Sequence, residues 1–187
     1  YNKEEIFNEF NLDKNKKTIL FFAGGEFGLG KNKTLEILKV FAENFKELQI
    51  IAIAGRNKSM KEQFEDIVKT YSRENDIIVL DYTNKVPELM NISDLVVTKP
   101  GGLTTTESLA SGLPILVINP IPGQEEQNAE FLENNGVAVW LKKDSNVKDV
   151  LEKVLNDNNK LENMKKSATL LAKKHSTQDI CETILNN

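Results

Sequence analysis

Six short apolar runs are spaced along the chain, at residues 18–23 (TILFFA), 49–54 (QIIAIA), 76–80 (DIIVL), 95–97 (LVV), 115–118 (ILVI) and 137–141 (VAVWL). Each is continuous rather than alternating and is flanked by polar residues, as in strands buried on both faces. Between them, helical stretches are expected over about 33–45, 59–72, 86–91, 104–111 and 124–133. Three more helices follow, at 146–156, 158–174 and 177–185. Strands alternating with helices over this length predict an α/β fold with a doubly wound parallel sheet, in the order 3-2-1-4-5-6. Punctuation supports the boundaries. Ser59 and Glu62 have capping-box spacing, Pro87 sits in a first turn, Gly112 and Gly136 follow helix ends, and Thr177 is a candidate N-cap. Residues 1–17 are polar apart from Ile6, Phe7, Phe10 and Leu12, which fit one short amphipathic helix. We divide the chain into this N-terminal linker helix, 1–17, and one domain, 18–187.

Composition narrows the class. The chain has 187 residues, 40% hydrophobic and 28% charged, with a net charge of −4. Those values fit a globular domain and argue against a nucleic-acid partner, which would need a basic field. The only cysteine, Cys181, allows no intramolecular disulfide and points to a reducing, cytoplasmic compartment. No apolar run reaches transmembrane length. The only histidine, His175, lies among Lys173, Lys174 and Ser176 and reads as a surface residue. A metal site of the His/Cys type is excluded by count, and no cofactor is expected.

Candidate chemistry concentrates between Asp94 and Asn128. A buried strand runs into Thr98-Lys99-Pro100-Gly101-Gly102, and a helix begins near Thr104. Gly101 and Gly102 let backbone approach a ligand, while the first N–H groups of the helix and its dipole favour an anion. Thr104 to Thr106 add hydroxyl donors. Glu107, one turn on, can accept two hydrogen bonds from a vicinal diol such as a ribose. The plainer alternative is a tight turn followed by a solvated glutamate. The stretch 24–30, GGEFGLG, is a second glycine-rich loop between strand and helix, without the spacing of a dinucleotide fingerprint or a P-loop. Arg56, at a strand's C-terminal end, can pair with a phosphate or stack on a base, or be a surface arginine. Tyr82 either packs or marks backbone that reads a base edge. Gln124 to Glu126 open a helix with polar residues, which capping alone would explain.

Taken together, these motifs resemble the MurG-like glycosyltransferases (glycosyltransferase family 28), and most closely the diacylglycerol glycosyltransferases, among them monogalactosyldiacylglycerol synthase and the bacterial processive glucosyltransferases. The matching residues are DLVVTKPGGLTTTE over 94–107, GLPI over 112–115 and PGQEEQN over 122–128, with GGEFGLG over 24–30 and AGRN over 54–57. The resemblance implies the Rossmann-like C-terminal half of a GT-B fold that binds a UDP-sugar. Backbone N–H groups of Gly101, Gly102, Leu103 and Thr104 would hold the diphosphate, Glu107 the ribose, and backbone at Tyr82 the uracil. Gln124 and Glu125 would hold the transferred hexose, assisted by Asn128. Arg56 would stabilise the leaving group, and the loop containing Gly25 would face the cleft between two domains. Inverting hexosyl transfer to a lipid, expected to be diacylglycerol, follows from the same resemblance. The general base and lipid-binding surface would belong to a missing N-terminal domain, so no catalytic residue is expected in this chain, and the chain alone should be inactive. Peripheral association with the inner face of the cell membrane would go with that half. Two alternatives share the architecture: the donor-binding subunit of a split two-chain N-acetylglucosaminyltransferase and a UDP-sugar epimerase-like domain.

Overall fold

A computed structural model describes residues 2–23 and 30–186. The described elements are α1 (Lys3–Glu9), β1 (Thr18–Phe22), α2 (Lys31–Asn44), β2 (Gln49–Gly55), α3 (Lys58–Thr70), β3 (Ile77–Asp81), α4 (Val86–Ile92) and β4 (Leu95–Thr98). They continue with α5 (Gly102–Ala110), β5 (Ile115–Val117), α6 (Gln124–Asn134), β6 (Ala138–Trp140), α7 (Val147–Leu155), α8 (Asn158–Leu171) and α9 (Ser176–Leu185). The six strands form one sheet in the expected order, β3-β2-β1-β4-β5-β6, and every neighbouring pair is parallel.

The unbroken apolar runs are explained by two cores, one on each face of the sheet. Phe21 packs edge-on with Phe41 of α2 and Phe64 of α3, in a cluster that includes Leu151 of α7. Its neighbour Leu20 turns the other way, into a cluster with Met90 of α4, Leu132 of α6 and Ala168 of α8. Consecutive strand residues point to opposite faces, so covering both faces requires both to be apolar. Ile6 of α1 is buried in the second cluster. The direction of winding changes between β1 and β4, the switch point at which such sheets bind ligands.

Four helix starts differ from expectation, the simplest being α2, which begins at Lys31 and not at Lys33. α3 is capped by Asn57, whose extended backbone (φ −88, ψ 92) lets its side chain accept from the Met60 N–H; Ser59 already lies inside the helix, where its carbonyl and hydroxyl accept from Gln63. α9 starts at Ser176 with His175 at the N-cap position, so Thr177 is not the cap. α5 starts at Gly102, two residues before Thr104, because Gly101 is still extended (φ −69, ψ 149).

A polar cluster at the N-terminal edge ties three segments together. Arg73 is buried, and its guanidinium donates to the carbonyls of Phe41, Ala42, Phe45 and Leu48. Asp76 accepts from Lys16 at 2.6 Å and from Arg73 Nε at 3.3 Å. Burial works to raise the Asp76 carboxyl, but the Lys16 ammonium and then Arg73 outweigh it and hold the group below its ordinary 3.8. A carboxyl lowered on folding contributes stability above its unfolded value and loses it as pH falls through the lower folded value. The thermal midpoint should therefore drop as pH falls below about 4, and less steeply in Asp76→Asn. Identical acid limbs in calorimetry of the two proteins would remove Asp76 from the account.

Candidate functional site

The C-terminal ends of β1, β2 and β4 surround a hollow of about 270 Å³. Its walls include Ala23, Gly55, Lys99, Gly101, Thr104 and Glu125. Gly101 stands at the N-cap of α5 without a side-chain cap. The N–H groups of Gly102, Leu103 and Thr104 therefore have no acceptor within the helix. A Cβ on Gly102 would meet nothing within 4 Å, and one on Gly101 would touch only Glu125 Oε1, at 3.8 Å. Among the described residues, nothing fills the space above this turn.

The threonines divide. Thr104 lines the hollow. The Thr106 hydroxyl is spent on the Gly102 carbonyl at 2.8 Å, and Thr105 Oγ1 is buried without a hydrogen-bond partner among the described residues. Of the three expected hydroxyl donors, Thr104 alone lines the hollow, and Thr106 satisfies itself on the preceding turn. Leu103 is exposed, and so is Glu107, one turn after Thr104 on the same side of the helix.

α6 reaches the same hollow from the other side. Glu125 Oε2 accepts from the Ile121 N–H at 2.7 Å, which turns the carboxylate toward Gly101. Gln124 is exposed at the start of the helix. Asn128 Nδ2 donates to the Pro100 carbonyl at 2.9 Å, so this amide joins α6 to the β4–α5 loop. Arg56 and Tyr82 stand together at the ends of β2 and β3, with the guanidinium 5.1 Å from the ring centroid, a cation–π contact. Tyr82 is otherwise exposed. Gly25 lies outside the described residues.

Lys99 is the residue that sequence reasoning passed over. It is half-buried in the wall of the hollow, and its ammonium makes no hydrogen bond or ion pair among the described residues. A lysine directly after a buried strand and before two glycines was the available signal. A larger cavity, about 660 Å³, lies on the β5–β6 side of the α6 N-terminus, lined by Gly30, Pro122 and Glu126 of the stretches that the sequence singled out and by Trp140. Among the described residues no cluster of His, Cys, Asp or Glu could hold a metal ion, and no helix is long and apolar enough to cross a membrane.

The chain is 35% identical over 184 residues to the processive diacylglycerol beta-glucosyltransferase of Bacillus pumilus, covering 98% of this chain and 46% of that protein. The protein of the same name from Bacillus subtilis is 33% identical over 183 residues, covering 96% and 46%. The chain thus spans about half the length of the curated relatives it matches. Among solved structures, Acinetobacter baumannii MurG superposes with a TM-score of 0.72 at 22% identity, covering 97% of this chain and 52% of that one. A UDP-GlcNAc 2-epimerase from Neisseria meningitidis gives 0.75 at 17% identity, covering 99% and 49%. At those identities the structures establish the fold alone. The family model described as "Glycosyl transferases group 1" matches residues 2–170. Across nearly its whole length, then, the chain belongs to the group 1 glycosyl transferases.

Proposed function

We propose that this domain, residues 18–187 with α1 as its lead-in, is the donor-binding half of an inverting hexosyltransferase that carries a hexose from a UDP-hexose to a lipid acceptor of the diacylglycerol type. The observation that carries the proposal is the Lys99 hollow. There a cation without a partner among the described residues, the uncapped amides at Gly102, Leu103 and Thr104 and a glycine turn converge at the sheet's switch point. The diphosphate lies against these groups, with Gly101 allowing its approach. Glu107 accepts from the ribose hydroxyls. Backbone beside Tyr82 receives the base, and Arg56 holds the ring of Tyr82 in place. Gln124 and Glu125 bind the hexose, while Asn128 keeps the two loops in register.

In the reaction, an acceptor hydroxyl oxygen bonds to the anomeric carbon as the bond to the β-phosphate oxygen breaks. UDP leaves with the electron pair, and the hydroxyl proton passes to a base. Amide dipoles and Lys99 stabilise the charge that develops on the diphosphate. The base and the lipid surface belong to the other half of the enzyme, in keeping with relatives about twice as long. The names of those relatives support the lipid acceptor, and a cytoplasmic enzyme resting on the inner membrane face would meet both substrates.

Calorimetry with UDP, UDP-glucose, UDP-galactose and UDP-N-acetylglucosamine tests the site. Glu107→Ala should weaken all four ligands by about tenfold or more, the value of a charged acceptor to two hydroxyls. Gln124→Ala should weaken only the sugar nucleotides. Equal binding of UDP by wild type and Glu107→Ala would remove the ribose assignment.

A further inference from the structure

The Ile118 N–H donates to the Thr98 carbonyl at 3.0 Å, which carries β5 one residue past its end. At Asn119 the backbone then enters the left-handed region, with φ +44. The chain leaves the sheet there and meets the start of α2. Residues 119–123 form a strap that closes at Gly123, a second position of positive φ (+97) and the N-cap of α6. Pro120 and Pro122 lie between, each with a fixed φ and no N–H.

The strap is fastened on both sides. Asn119 Nδ2 donates to the Gly30 carbonyl at 3.1 Å and to Thr34 Oγ1 at 3.2 Å. Thr34 is buried, and its own hydroxyl and N–H donate to the same carbonyl, at 3.1 Å and 3.0 Å. The Asn119 amide thus closes a triangle on a fixed point of α2. Further along, the Ile121 N–H, between the two prolines, goes to Glu125 Oε2 at 2.7 Å. The other carboxylate oxygen, Oε1, faces Gly101 across the donor hollow, 3.8 Å from where a Cβ would stand.

Asparagine serves twice at this position. It enters the left-handed region more readily than most residues, and its amide reaches α2. Glycine would supply the backbone angle alone. A carboxylate with one oxygen held on a fixed N–H presents the other oxygen in one direction. That direction is only as well defined as the position of Ile121, and Ile121 is placed by the strap. Support of this kind is what holds a binding group in its working geometry.

We infer that Asn119 is a positioning residue for hexose selectivity: through the strap and the Ile121 N–H it aims the Glu125 carboxylate into the donor hollow. The inference rests on the reading of Glu125 as a hexose ligand given above.

Two variants separate the amide from the backbone angle. Asn119→Gly keeps the positive φ without strain and loses the fastening. Asn119→Asp keeps the shape but turns an acceptor toward the Gly30 carbonyl. In calorimetry of the 187-residue chain, both variants should bind UDP within about twofold of wild type. The tighter of UDP-glucose and UDP-galactose should bind about fivefold more weakly to Asn119→Gly, and more weakly still to Asn119→Asp. In a Glu125→Ala background, Asn119→Gly should add less than about twofold, because the group it aims is gone. A lower thermal midpoint with an unchanged ratio of UDP to sugar-nucleotide affinity is what a purely structural fastening would give. That result, or the full fivefold loss in the Glu125→Ala background, overturns the inference and leaves the donor reading standing. Failure of the wild-type chain to bind UDP overturns both.

Discussion

Arg73→Met should lower the stability of this domain by about 3–5 kcal/mol, the cost of breaking a buried ionic cluster from one side. Arg73 is 2% exposed, and its five donors are the reason that the end of α2 can be buried. The last carbonyls of a helix have no partners within it and carry the negative end of its dipole. A fixed guanidinium fork meets the four carbonyls from Phe41 to Leu48 at once, which neither water nor one ammonium could do in that volume. Methionine fills the space but leaves those carbonyls short of donors and Asp76 with Lys16 alone. In a protein of this size the thermal midpoint should fall by about 6–20 °C. Arg73→Lys should recover less than half of the loss. A urea midpoint within experimental error of wild type would show that the carbonyls find other donors, and the account would fail.

Lys99→Ala should weaken UDP binding by about 10- to 100-fold, the value of a charge-assisted contact to a phosphate lost in a partly shielded hollow. Uridine binding should be unchanged, because Lys99 lies beside the α5 start and not beside Tyr82. The comparison separates a phosphate contact from general damage to the loop, which would weaken both ligands. Thermal stability should stay within about 0.5 kcal/mol of wild type, as for a residue outside a packed network. Unchanged UDP affinity in the variant would leave the diphosphate to the helix amides alone and withdraw Lys99 from the site.

The strands were readable because burial on both faces leaves a one-dimensional trace, an unbroken apolar run, and the strand order is the usual one for a doubly wound sheet. The β4–α5 loop was readable because Gly101 and Gly102 stand between a buried apolar run and a helix inside a longer motif, 94–107. What could not be read depends on distant segments meeting. Arg73, between Ser72 and Glu74, looks like any solvated charge until the end of α2 is folded over it. Lys99 is visible as a residue, but that it pairs with no carboxylate among the described residues is a three-dimensional fact. The larger cavity draws on residues near 30, 120 and 140, which no local pattern connects. The α3 cap was misplaced because Asn57 and Ser59 are both good caps, and only the extended backbone at Asn57 decides between them.

The fastening at Asn119 sets terms for recombining this domain with its relatives. Gly30 has φ +81, and a Cβ there would stand 2.4 Å from Asn119 Cγ. Gly30, Thr34 and Asn119 therefore travel as one unit although 85 residues of chain separate Thr34 from Asn119. A chimera whose junction falls between positions 34 and 119 would draw the two sides of that lock from different parents, and would fit only when the parents agree at all three positions. A junction after α8 carries no such condition, because α9 buries none of its own residues. Gene-shuffling libraries that place crossovers there should keep more folded members than those cut within the first half of the sheet.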